Sequence, residues 1–76
     1  MPEQRHVIKH GDRWAVKKPG SPRVSSQHRT QEAAEKRAAQ ILRRAGGGER
    51  VVHGEDGRVR SKETVGRGND PVASKG

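Results

Sequence analysis

A chain of 76 residues forms at most one domain with a thin core. Its 17 lysines and arginines outnumber 9 aspartates and glutamates, and the resulting formal net charge of +8 favours polyanionic partners. Cysteine is absent, which excludes disulfides and thiolate metal sites. No apolar run is long enough for a signal peptide or a bilayer span, so we expect a cytoplasmic protein with no membrane partner.

A β-hairpin is predicted first in the chain. RHVIKH (5–10) has two central β-branched residues, which is typical of a strand. After a Gly-Asp turn, RWAVKK (13–18) alternates, so Trp14 and Val16 point to the same side of the second strand. Prolines then end this strand, and RVSS (23–26) suits a short extended piece.

A single α-helix is predicted next from its capping residues and periodicity. Thr30 suits the N-cap, and Glu32 in the first turn complements the positive end of the helix dipole. Five apolar residues at helical spacing indicate a buried face: Ala34, Ala38, Ile41, Leu42 and Ala45. The basic pair at 43–44 suits the last turn, and the glycines at 46–48 end the helix.

A second hairpin follows, with strands ERVVH (49–53) and RVRSK (58–62) on either side of a GEDG turn. It resembles the first hairpin closely. The sequence therefore predicts an α+β fold of order ββαββ, in which two β-hairpins are joined by one α-helix packed on one face of an antiparallel sheet.

The predicted domain occupies residues 5–65. Residues 1–4 are expected to form a flexible N-terminus, and the glycine-rich residues 66–76 a loop or disordered tail. The helix is expected to cover Trp14, Val16, Val59 and part of the Val51–Val52 pair.

The order of these motifs is similar to that of a known bacterial family. The matching residues are Trp14 and Val16 in a strand, Thr30, Glu32 and Ala33 at the helix start, Glu49, His53, Asp56, Gly57 and Val59 around the second turn, and Gly66, Asp70 and Pro71 near the end. Over residues 5–71 the chain resembles the family catalogued as domain of unknown function 2188. Members tend to have an aromatic residue where this chain has Val65. The resemblance implies a compact ββαββ bacterial domain and implies no activity.

A basic patch is predicted on the sheet surface away from the helix. If the large apolar strand residues face the helix, period-two alternation sends five cations to the other side: Arg13, Lys17, Arg58, Arg60 and Lys62. Such a patch suits the phosphate backbone of DNA or RNA. A solvated sheet face, or protection of strand edges against aggregation, explains the same residues equally well.

The helix offers further basic residues. Arg37 and Arg44 share one flank and are predicted as accessory phosphate contacts, whereas Glu32 and Lys36 suit an i,i+4 ion pair that supports the helix. Trp14 is the one aromatic residue and is expected in the core. Nucleic-acid binding is therefore predicted to be dominated by backbone phosphates, sensitive to salt and low in sequence specificity.

Other kinds of chemistry have less support. His6 and His10 share a strand face but lie too far apart to chelate one ion, and His10 and His53 meet only if the hairpins are neighbours. Hydrogen-bonding histidines are the simpler interpretation, so no metal site and no cofactor is predicted. The thin core leaves no room for a deep pocket, so we expect neither an enzyme nor a small-molecule substrate.

We therefore expect a small, basic, non-catalytic protein that binds nucleic acid through its phosphate backbone. The alternative is a protein-interaction or self-assembly module, such as a homodimer, because the core is thin and the strand edges are exposed.

Overall fold

The computed structural model describes residues 3–66. One helix and five strands follow each other in the order β1 (Glu3–His10), β2 (Arg13–Lys17), β3 (Val24–His28), α1 (Gln31–Arg44), β4 (Gly48–His53) and β5 (Val59–Val65). The predicted α+β class is confirmed. The predicted tail lies outside the described residues from position 67 onward, and so do Asp70 and Pro71 of the family resemblance.

The topology differs from the prediction in two respects. The extended piece before the helix is a third strand, and the sheet is mixed, with strand order β3-β2-β1-β4-β5 and a parallel β1–β4 pair at its centre. The order is therefore βββαββ, and the sheet is not purely antiparallel. The third strand causes both differences. β3 runs parallel to β1, and the helix carries the chain back, so that β4 runs in the same direction as β3 and is therefore parallel to β1.

The core lies between the helix and one face of the sheet. Val16, Val7 and Val52 form a cross-strand row on three adjacent strands, with Val7 paired to both of its neighbours. Ala34 and Ala38 pack on this row, and all five side chains are buried. Small helix residues allow the helix to approach the sheet closely, so a few valines suffice to fill the core.

Trp14 extends this core toward one end of the sheet. Its side chain is buried, as the alternating pattern predicts. The Lys9 ammonium lies 5.2 Å from the centre of the indole ring, a distance at which the ring attracts a cation. Lys9 and Trp14 are paired across β1 and β2, so the lysine reaches the ring from the neighbouring strand.

The helix begins and ends as its sequence predicts. The Thr30 hydroxyl accepts a hydrogen bond of 3.1 Å from the backbone N–H of Ala33. At the other end, Gly46 and Gly47 adopt positive φ, and the N–H of Gly47 donates to the carbonyl of Leu42 at 2.7 Å. Leu42 is buried and Ile41 half-buried, whereas Ala45, predicted on the buried face, is exposed at the C-cap.

The predicted burial of Val59 under the helix is wrong. A β-bulge between β4 and β5 pairs Val52 with Ser61 but His53 with Val59, so one residue of β5 is left over. This extra residue breaks the alternation that the prediction assumed. Val59 consequently leaves the helix side and is 60% exposed.

The described helix has 14 residues, and no helix within residues 3–66 is long and apolar enough to cross a membrane.

Gly48 lies where the backbones of β1 and β4 and the end of the helix meet. It pairs with Glu3 at the start of β1. A Cβ atom at this position would lie 2.8 Å from Cδ2 of Leu42 and even closer to the carbonyl oxygen of Glu3. Only glycine fits here without displacing a neighbouring strand.

Gly48→Ala is expected to lower the free energy of unfolding by about 1–3 kcal/mol, because overpacking forces the β1 backbone to move. The matched control is Gly54→Ala, whose Cβ would lie 3.2 Å from the Asp56 side chain and 3.9 Å from the Arg58 carbonyl oxygen. The control should stay within about 1 kcal/mol of the wild type. Urea unfolding followed by Trp14 fluorescence measures both. Equal effects of the two substitutions would contradict the close approach at Gly48.

Candidate functional site

The helix covers one face of the sheet, and the opposite face is called here the open face. Alternation from the core residues, together with the strand pairings, assigns the side chains that belong to it. They include Val24 on β3, Arg13, Ala15 and Lys17 on β2, His6 and Ile8 on β1, Glu49, Val51 and His53 on β4, and Val59 and Lys62 on β5. This face combines cations on β2 and β5 with imidazole groups on β1 and β4 and with apolar side chains on several strands.

One cross-strand row runs across all five strands of the open face. The strand pairings place Val24, Lys17, His6, Val51 and Lys62 side by side in that order. Lys17 and Lys62 are three strand spacings apart, or about 14 Å. His6 therefore lies between two cations, on the central strand of the sheet.

Three of the five predicted patch cations lie on the open face, at the two ends of β2 and on β5: Arg13, Lys17 and Lys62. Lys62 Nζ lies 4.0 Å from Glu49 Oε1, and that lysine side chain is 60% exposed. An ion pair this exposed holds its partners weakly. Lys62 therefore remains accessible to another anion.

The other two patch residues take different positions. Arg58 precedes β5 in an exposed bend, and its guanidinium lies 3.9 Å from the Asp56 carboxylate. Arg60 is at the bulge, and its Nη1 donates a hydrogen bond of 2.8 Å to Oε1 of Gln31 at the start of the helix. The bulge thus directs Arg60 toward the helix rather than onto the open face.

The accessory pair also lies away from the open face. Arg37 and Arg44 are on the helix, which packs on the other side of the sheet. Arg37 donates a hydrogen bond of 3.1 Å to the Gln40 side chain, and Arg44 is exposed in the last turn. The seven predicted cations therefore do not form one surface.

A hydrogen-bonded pair of histidines occupies the centre of the open face. Nδ1 of His6 lies 2.8 Å from Nε2 of His53, and the two rings are stacked with their centroids 5.0 Å apart. The parallel pairing of β1 and β4 places His6 opposite Val51, two residues before His53, so the two rings meet diagonally across the strands. The contact joins the two halves of the chain.

The hydrogen-bond partners define which nitrogens of the pair carry hydrogen. Nδ1 of His53 lies 3.0 Å from the carbonyl oxygen of Gly57, and a carbonyl oxygen only accepts, so this Nδ1 is the donor. Nε2 of His53 then accepts from Nδ1–H of His6. The remaining ring nitrogen, Nε2 of His6, forms no hydrogen bond within residues 3–66 and carries the free lone pair of the neutral pair.

The surroundings of His6 disfavour its protonated form. Partial burial lowers the pKa of His6 below its ordinary value of 6.5, and His53, Lys17 and Lys62 lower it further by charge repulsion. These groups lie on three different strands, and all of them act in the same direction. His6 is therefore neutral near pH 7.

A cleft of about 310 Å³ lies beside the histidine pair. Six of the residues that line it are His6, Ile8, Lys17, Lys18, Pro19 and His53. Of the described residues lining this cleft, none is acidic. The end of β2 and the turn that follows it contribute Lys17, Lys18 and Pro19 to this lining.

The sequence interpretation missed the histidine contact because it compared the wrong pair. His10 and His53 each precede a turn, and the sequence indicates that they meet only if the two hairpins are neighbours. The parallel register pairs His6 with Val51, two residues before His53, and the imidazoles of His6 and His53 meet diagonally across β1 and β4. Within residues 3–66, no group of three or more potential metal-ligating side chains is present.

Comparison with known proteins agrees with the resemblance drawn from the motifs. A family model described as "Uncharacterized protein conserved in bacteria (DUF2188)" matches residues 5–65. The chain is 42% identical over 66 residues to the uncharacterized protein YdaT of Bacillus subtilis (strain 168), an alignment that covers 87% of this chain. The chain spans 43% of the length of that relative. No solved structure matches the chain.

The lowered pKa of His6 predicts a pH dependence of stability. In the unfolded chain His6 binds a proton with the ordinary imidazole pKa of 6.5, whereas in the folded chain its pKa is lower. The free energy of unfolding is therefore highest above pH 6.5 and declines as the pH falls from 6.5 toward the folded-state pKa. His6→Gln should reduce this decline. Urea unfolding at pH values from about 7.5 to about 5.5 measures it.

His10→Gln is the matched control, because His10 is exposed on the same strand and face. Its pH dependence should equal that of the wild type. Glu3 does not interfere, because the hydrogen bond and ion pair with Arg5 lower the pKa of that carboxyl below 4.5. If His6→Gln retained the full decline, the proposed cost of protonating His6 in the folded chain would be wrong.

Proposed function

The chain belongs to the family described as an uncharacterized protein conserved in bacteria (DUF2188), and we propose that it is a non-catalytic protein that binds the phosphate backbone of nucleic acid through its open face. The observation that carries this proposal is the placement of Arg13, Lys17 and Lys62 on a sheet face that the helix does not cover. Together with the net charge of +8, it favours a polyanionic partner.

The balance of charge on the open face supports the proposal. Glu49 is the acidic side chain that the described strands contribute to this face, and Lys62 lies beside it. Lys18 adds a further cation in the turn after β2. A phosphate backbone that crosses the sheet would meet Lys17 on β2 and Lys62 on β5, about 14 Å apart.

The structure of the core favours duplex over single-stranded nucleic acid as the ligand. Proteins that hold single strands stack bases on exposed aromatic rings. The one aromatic residue of this chain, Trp14, is 6% exposed and packs on the helix side. Recognition of phosphates on a duplex needs no such ring, so binding is expected to be salt-sensitive and weakly dependent on sequence.

The double variant Arg13→Gln/Lys17→Gln is expected to weaken duplex binding by about tenfold, at about 0.1 M salt, for each phosphate that these two side chains neutralise. The slope of log affinity against log salt should fall by about 0.9 per phosphate. Fluorescence anisotropy with a labelled generic DNA duplex at two or more salt concentrations measures both quantities.

The matched control is Lys36→Gln/Arg43→Gln, which removes the same charge from the exposed surface of the helix. This control variant should change the affinity for the duplex much less, because it alters only the long-range electrostatic field at the open face. If both double variants weakened binding equally, the open face would have no special role. If the wild type failed to bind at low salt, the proposal as a whole would be refuted.

A second candidate function is self-association through the open face. The observation that favours it is Val59, which the bulge leaves 60% exposed on the edge strand β5. Half-buried Ile8 and Val24 add apolar surface on the same face. A second copy of the chain that packed on this face would remove these apolar side chains from water.

This second candidate predicts a dimer in analytical ultracentrifugation at high protein concentration. Val59→Lys should then shift the protein to the monomer, because burying the lysine ammonium group in an apolar dimer contact costs the free energy of removing it from water. Ser25→Lys on the exposed edge of β3 is the control for added charge alone. A wild-type monomer at all concentrations would eliminate this candidate.

A further inference from the structure

The cleft beside the histidine pair combines three features that suit an anion. Lys17 and Lys18 lie on its rim, His6 and His53 form its imidazole wall, and no described lining residue carries a negative charge. Ile8 and Pro19 contribute apolar surface, which lowers the local dielectric and strengthens charge–charge attraction. A phosphate group is the common anion that two ammonium groups and an imidazole bind together.

The histidine pair can gain a proton without losing its hydrogen bond. In the neutral pair, His6 already donates Nδ1–H to Nε2 of His53, and His53 donates to the Gly57 carbonyl. A proton added to the free Nε2 of His6 leaves both of these hydrogen bonds in place. It converts that nitrogen from an acceptor into a charged donor, the form that pairs with a phosphate oxygen.

From this geometry we infer that the cleft is a phosphodiester-binding subsite of the open face, and that His6 takes up one proton when the phosphate binds. The inference rests on the proposed function and deepens it, since the phosphodiester is that of the nucleic-acid backbone. Lys17 and Lys18 supply permanent charge, and His6 supplies a charge that appears only with the ligand.

The proton uptake follows from the groups that face His6. In the free protein, its imidazolium would face the cations Lys17 on β2 and Lys62 on β5, with His53 on β4 and Lys18 nearby in the turn. Glu49 lies on the same face but is beside Lys62 and Gln4. A bound phosphate offsets the repulsion from the lysines and adds an opposite charge, so it raises proton affinity at His6.

Proton linkage makes this subsite distinguishable from a simple basic surface. Lysines and arginines keep their charge between about pH 6 and about pH 8, so binding by them alone does not vary over that range. A subsite that takes up one proton binds more tightly as the pH falls, by at most about tenfold per pH unit. The pair would thus make nucleic-acid binding stronger under mildly acidic conditions.

The first experiment measures the affinity of the full chain for a labelled DNA duplex at about pH 7.5 and about pH 6, at constant salt. The wild type should bind about fivefold more tightly at the lower pH, and His6→Gln should lose most of this gain. His28→Gln is the matched control, because His28 pairs with Trp14 on the helix side of the sheet and hydrogen-bonds to Ser26. It should retain the wild-type gain.

The second experiment uses dimethyl phosphate, a phosphodiester whose single charge is constant over this pH range. Its titration is followed through the imidazole ¹⁵N signals of His6 and His53 and the amide signal of Gly20 in the cleft wall. Saturable shifts, with the Nε2 signal of His6 moving toward its protonated position, are expected. Inorganic phosphate in a parallel titration separates a diester site from a site for the free anion.

The outcomes separate this inference from the proposed function. Duplex binding with the same pH dependence in the wild type and His6→Gln would overturn the inference and leave the proposed function intact. If the duplex did not bind at either pH, the proposed function would fail. The dimethyl phosphate titration would then decide whether the cleft binds a phosphodiester. Absence of saturable shifts with dimethyl phosphate, or shifts with inorganic phosphate alone, would overturn the phosphodiester subsite.

Discussion

The parallel pairing of β1 with β4 is the contact on which the rest of the structure depends. Val7 is paired with Val16 on one side and Val52 on the other, and the row that they form is the surface on which the helix packs. The same register places His6 against His53 on the opposite face. A one-residue slip of β4 would send the valine row to solvent and separate the imidazoles, so the core and the candidate site share one constraint.

Local signals in the sequence are sufficient to predict the elements but not their arrangement. The cap at Thr30, the alanine face of the helix and the alternation around Trp14 act within a few residues, and the structure confirms them except for Ala45, which is exposed at the C-cap. Strand order depends on contacts between distant residues, and the purely antiparallel sheet of two hairpins is wrong because the extended piece before the helix is a full strand, β3. Once β3 is counted as a strand, the helical crossover makes β4 parallel to β1.

The candidate site could be predicted only in part, for a related reason. Arg13, Lys17 and Lys62 follow strict alternation and reach the open face, whereas the bulge opposite His53 exposes Val59 and turns Arg60 toward the helix. Alternation cannot anticipate a bulge, because the extra residue leaves no mark in the hydrophobic pattern. The histidine pair escapes such a prediction because its partners lie in different hairpins, joined only by the register of the central strands. The open face is therefore less uniformly basic than predicted, with imidazoles at its centre.

The most direct test of the open face as the functional surface is an amide and side-chain NMR titration of the full chain with a short DNA duplex. We expect shifts confined to the open face, centred on His6, Lys17 and Lys62, that fade as salt rises from about 50 to about 200 mM. Shifts centred on the helix surface around Arg37 and Arg44, or no shifts at low salt, would contradict the claim that the uncovered face of the sheet is the functional surface.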